Sequence, residues 1–140
     1  MKKFLFSFIF VISPLLSIPM SKEEKEEAFK VAVLENDLKT VKALVNLGIE
    51  PKKTFFNSPI PWAPMMATMK CYWEMLDFFL ITATFSQEEK NKLLTCVATF
   101  QTPYQASHRF YTYIVLLHHR ANLDYLPASM ASYIRENYLS

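Results

Sequence analysis

Two cysteines and three histidines are the side chains here best suited to nucleophilic or metal chemistry. Cys96 and His108 flank a break at Thr102-Pro103, so a thiol and a separate base could meet across it. Neither a flanking motif nor an orienting acid accompanies them. His118 and His119 are adjacent, so on a helix they point about 100° apart and do not readily share a metal. His108 lies about three turns earlier, and no tetrahedral ligand set follows from the spacing. At a helix C-terminus the two late histidines instead suit the negative pole and the last carbonyls. Glu23, Glu24, Glu26 and Glu27 read as a solvated helix start, and Glu88-Glu89 as another. Met65, Met66 and Met69 recur as a core stripe rather than a metal or haem set. An oxidising compartment would permit a Cys71–Cys96 disulfide; the competing reading is two small buried hydrophobes. A small helical enzyme or metal-binding protein using Cys96 and the histidines is thus one class of function. The residues assign no catalytic group, no metal ligand and no cofactor.

The second class is recognition. Residues 49–64 read IEPKKTFFNSPIPWAP, in which Pro51, Pro59, Pro61 and Pro64 predict a long extended loop. Lys52, Lys53, Phe55, Phe56 and Trp62 ride on it. Proline stiffening lowers the ordering cost of binding, and exposed aromatic rings make good anchors. The alternative is that Phe55, Phe56 and Trp62 tuck inward and cover the core. Tyr125 projects from a later loop and joins the same candidate partner-binding set.

The elements that must position these residues follow from composition and pattern. The chain has 140 residues, 51% hydrophobic and 15% aromatic, so disorder is excluded. One Gly argues against a phosphate-cradling loop and against a turn-rich barrel. Residues 1–20, MKKFLFSFIFVISPLLSIPM, open with Lys2 and Lys3 and continue without charge, broken by Pro14. This is the layout of a signal peptide, with cleavage expected after Ser17. An uncleaved membrane anchor is the rival, opposed by Pro14 and Pro19 in a run shorter than the ~20 residues a span needs. The protein is therefore expected to be exported, periplasmic or secreted. Without Lys2 and Lys3, basic and acidic residues balance, so attraction to nucleic acid has no support.

From residue 21 onward the pattern is helical. Ser21/Glu24 and Ser86/Glu89 stand at capping-box spacing. Ala28, Phe29, Ala32 and Val33 predict a first helix; Asp37 caps a second carrying Leu38, Val41, Leu44, Val45 and Leu47, closed by Gly48. Further helices are expected over 65–70, 73–81, 87–100, 106–119 and 128–138. The helix over 106–119 is expected to bury Phe110, Tyr113, Ile114 and Leu117. No alternating β run of useful length occurs.

A weak repeat underlies these helices. Ala32 and Ala67, Asn36 and Cys71, and Leu44 and Phe79 are each 35 residues apart. FKVAVLENDLKTVKALVNLG aligns with PMMATMKCYWEMLDFFLITA, and the end of TYIVLLHHRANLD parallels VKALVNLGIEP. These stretches resemble the ankyrin repeat, whose period is about 33 residues. Arg120 stands where that family usually has Gly, and its Thr-Pro-Leu-His tetrapeptide is absent. The resemblance implies an all-α fold over residues 21–140: a short solenoid of about three stacked antiparallel helix pairs with a C-terminal capping helix. It also implies a non-enzymatic protein-binding module gripping a protein partner through loops and groove. An irregular helical bundle is the competing architecture.

Overall fold

The computed structural model describes residues 20–55, 60–99 and 106–138. The expected signal segment lies outside them. All regular structure among the described residues is helical: α1 (Lys22–Leu34), α2 (Leu38–Asn46), α3 (Trp62–Met69), α4 (Trp73–Thr82), α5 (Gln87–Thr99), α6 (Ala106–His118), a 3-10 turn (Leu123–Tyr125) and α7 (Ala128–Tyr138). The chain divides into two compact units, one ending at Glu50 and one beginning at Pro51.

The first unit is the α1/α2 hairpin. The Ser21 amide donates to Glu24 Oε1 at 2.9 Å and the Glu24 amide to Ser21 Oγ at 3.1 Å, so the capping box forms. Ala28, Phe29, Ala32 and Val33 of α1 are buried, and α1 packs on α2. The turn is tight. Asn36 takes φ 56°. Its amide donates to Val33 O at 3.2 Å and that of Asp37 to Ala32 O at 2.9 Å. Asp37 then caps α2, accepting from the Thr40 amide at 3.2 Å and the Thr40 hydroxyl at 2.7 Å.

The second unit begins with a correction. Residues 49–64 are not loop throughout, because α3 starts at Trp62 with Pro61 as its N-cap and Pro64 inside its first turn. First-turn amides have no intrahelical acceptor, so proline loses nothing there. At the end of α3 the turn of the first unit recurs 35 residues later. Cys71 takes φ 57°, its amide donating to Thr68 O at 3.1 Å and that of Tyr72 to Ala67 O at 2.8 Å. The second capping box also forms: Ser86 amide to Glu89 Oε1 at 2.8 Å, Glu89 amide to Ser86 Oγ at 3.1 Å.

Within this unit α3 packs on α4 and α5 on α6, while α3 also packs on α5 and α4 on α6. Each hairpin thus meets the other first helix to first and second helix to second. Ala63 and Ala67, both buried, hold the face of α3; such small residues let neighbouring backbones approach closely. Met75, Leu76 and Phe79 of α4, Leu93 and Leu94 of α5, and Leu116 of α6 are fully buried. The 3-10 turn packs on α5, and α7 packs on the turn, burying Ala131 and Ile134.

The face of α6 differs from expectation. Tyr113 is buried, but Phe110 and Leu117 are half-buried and Ile114 is exposed; Thr112, Val115 and Leu116 take the inward positions. The run FYTYIVLL is apolar nearly all round, so its periodicity does not fix a single face. Thr112 is tolerated inside because its hydroxyl donates to His108 O at 2.8 Å.

Two second helices end on left-handed residues, Gly48 (φ 109°) after α2 and Arg120 (φ 73°) after α6. Each amide bonds three residues back, and the following amide five back. Glycine adopts this conformation freely, whereas other L-residues are penalised by roughly 1–2 kcal/mol. Arg120→Gly is therefore expected to raise stability by about 0.5–1 kcal/mol, part of the gain being lost to the looser unfolded chain. Urea titration of both proteins checks this; a destabilised variant would mean that the Arg120 side chain contributes more than its backbone costs.

Candidate recognition surface

The proline-rich segment is bound to its own domain. Lys52 Nζ lies 2.7 Å from Glu89 Oε1 and 2.8 Å from Thr84 O, and 4.9 Å from the centroid of the Phe85 ring. Phe55 meets Trp62 edge-on at 5.7 Å, with 88° between the ring planes. Trp62 is only 8% exposed. It therefore covers core and offers no exposed anchor, which is the second of the two roles considered for it. Lys53 and Phe55 are half-buried. Phe56 and the side chain of Tyr125 lie outside the described residues.

Lys52 also acts on the capping box. Burial pushes the Glu89 carboxyl up, but hydrogen bonds from Lys52 and the Ser86 amide, with the ammonium charge, outweigh it and hold the group below its ordinary value. A depressed folded pKa gives stability that is full above the unfolded value and lost as pH falls through the folded one. Glu89→Gln is expected to cost about 1 kcal/mol or less at neutral pH. That difference from wild type should shrink below about pH 4, where both states of the wild-type carboxyl take up protons. Urea midpoints across the acid range check this; a difference that stayed constant with pH would refute the assigned ion pair.

The side chains considered for catalysis sit in unlike surroundings. Cys96 is buried, and burial pushes its thiol up, the reverse of what activates a nucleophile. His108 is exposed. Cys71 and Cys96 are both free thiols and both buried, the pattern of small core hydrophobes. His118 ends α6 as expected, but His119 bonds a side chain rather than a carbonyl: its Nε2 lies 2.7 Å from Asp77 Oδ1 on α4. No group of three or more His, Cys, Asp or Glu able to hold a metal occurs among the described residues. No helix among them is long and apolar enough to cross a membrane.

The surface that remains is the outer side of α4 and α6. Trp73 at the start of α4 stacks against Tyr111 of α6 at 5.1 Å and 41°. Tyr111 also meets Phe110 at 5.5 Å. Tyr111 is 44% exposed, and Ile114, one helical turn on, is 36% exposed. The His119–Asp77 bond ties the same two helices together. These residues were not singled out for binding from sequence. The available signal was the excess of apolar residues in α6 over what one inward face can use. Among known proteins, no family model matches the chain, and neither a curated protein nor a solved structure matches it.

Proposed function

We propose that this chain is an exported, non-enzymatic protein-recognition module, built as a short ankyrin-like stack of helix hairpins, whose α4/α6 face grips a protein partner. The observation that carries it is the pair of exposed residues Tyr111 and Ile114, with Tyr111 seated against the half-buried Trp73 ring, on two helices that pack together. Exposed aromatic and aliphatic side chains grouped in this way are characteristic of interaction sites, and rigid anchors lose little entropy on binding. The like-on-like helix packing after Pro51 and the turn repeated at a 35-residue displacement support the stacked-hairpin architecture. Export rests on the charge and apolar pattern of residues 1–20. The pinned Lys52 and buried Trp62 move the binding face away from the proline-rich segment.

The test is affinity capture from the native compartment with the full chain and a Tyr111→Asp/Ile114→Asp variant of matched helicity. A photo-crosslinker at position 111 identifies what touches the face. Loss of the crosslinked protein by the variant is the expected result. Equal recovery of every bound protein by the folded variant would refute the assignment.

A further inference from the structure

Two stripes of residues lie side by side on the outer side of α4 and α6. Glu74, Asp77 and Ile81 follow one another three and then four positions apart on α4, and Tyr111, Ile114 and His118 do the same on α6. That spacing sets each trio along one side of its helix. All six are exposed or half-buried, and Ile81 is 69% exposed. Building on the α4/α6 reading above, we propose that the occupant of this face is an amphipathic helix of the partner protein. Its apolar side rests on Tyr111, Ile114 and Ile81, and it places a Lys or Arg beside Glu74.

Geometry selects a helix. Trp73 meets Tyr111, and further along both helices Asp77 is bonded to His119, so α4 and α6 run in the same direction. From the level of the Trp73–Tyr111 contact, the helical rise puts Ile114 about 4.5 Å on and Ile81 about 12 Å on. Apolar side chains at i, i+3 or i+4, and i+7 or i+8 of a third helix recur over the same distances. Extended segments fit less well. Among the described residues no sheet edge is offered for a strand to join. The Trp73 and Tyr111 rings lie against each other, with centroids 5.1 Å apart, and leave no slot between them for a proline-rich segment.

Charge then chooses the sign of that helix. Glu74 and Asp77 are the carboxylates of the two stripes, and neither stripe holds a Lys or Arg. Asp77 is tied to His119, whereas Glu74 is exposed and joins no ion pair among the described residues. Rim charges of this kind add little affinity, but they decide which partners are accepted, because like charges brought together are costly. The face therefore turns away an acidic helix and admits a basic one.

This inference rests on the α4/α6 assignment, and the experiment separates the two. The probes are labelled peptides of about 14 residues, titrated with the full chain by fluorescence anisotropy. One carries Leu on one side and Lys on the other, a second has Glu for Lys, and a third is the Lys peptide scrambled so that it has no apolar side. The Lys amphipath should bind about ten-fold more tightly than the Glu amphipath at low salt, the gap closing as salt rises. It should also bind more tightly than the scrambled peptide. Ile81→Asp should weaken both amphipaths, and Glu74→Lys should abolish the preference for Lys over Glu. Both positions are exposed, so neither change disturbs the core. Equal or tighter binding of the Glu amphipath, equal binding of the scrambled peptide, or no binding of the Lys amphipath at high micromolar concentration would overturn the proposal. So would an unaltered preference in Glu74→Lys, or a crosslink from position 111 to a second copy of the chain. If a partner protein is captured through position 111 while the peptides show none of these differences, the basic helix is refuted and the α4/α6 face is not.

Discussion

Phe79→Ala is expected to destabilise the protein by about 3–5 kcal/mol, the range for deleting a buried ring that neighbours cannot collapse to fill. Phe79 is fully buried on α4, which packs on both α3 and α6. Removing it opens a cavity at the meeting point of the two hairpins. Ordinary stabilities run to about 5–15 kcal/mol, so the variant should unfold at far lower urea and bind hydrophobic dyes near body temperature. Phe78 is the natural control. Its ring lies 5.9 Å from that of Phe79, but it is half-buried, so Phe78→Ala should cost distinctly less. Equal losses for the two would mean that α4 does not sit between α3 and α6 as described.

The second large effect is polar. Asn91 on α5 is buried, and its Oδ1 accepts the Asn122 amide at 2.8 Å and Gln87 Nε2 at 2.9 Å. Gln87 Nε2 also donates to Arg120 O at 2.8 Å. One carboxamide therefore holds the chain as it leaves α6 through its left-handed residue. Asn91→Leu keeps the volume and removes the acceptor, for an expected loss of about 1–3 kcal/mol. Asn91→Asp keeps an acceptor and should lose less, which separates hydrogen bonding from packing. Faster hydrogen exchange at the Asn122 amide in the leucine variant is the local readout. An unchanged exchange rate would show that this bond does not hold the turn.

Local features of the fold were readable in advance because their causes lie within a few residues. Ser21/Glu24 and Ser86/Glu89 close capping boxes across three positions. Asp37 caps α2 as its residue type suggests, and Gly48 closes it. The run from Ala128 to Tyr138 forms a helix over the expected span. The start of α3 differs from expectation because four prolines in sequence predict a break, whereas two of them occupy the N-cap and the first turn, where proline is tolerated. The 35-residue displacement seen in the residue pairs returns as two identical backbone closures, at Asn36 and Cys71.

The candidate sites were far less legible. Lys52 finds Glu89 37 residues away, and His119 finds Asp77 42 residues away. No local pattern marks either partner. The sequence by itself determined most of the helices, the Ser21, Asp37 and Ser86 caps and the Gly48 closure, because these depend on backbone hydrogen bonds and side chains one or two turns apart. Tertiary structure alone decided which aromatic rings face inward, since a helix apolar on all sides has no preferred face until its neighbours dock. It also tied Lys52 to Glu89 and buried Trp62, and brought Arg109 to the wall of a cleft. Burial is a property of the assembled helices, and residues distant along the chain supply it.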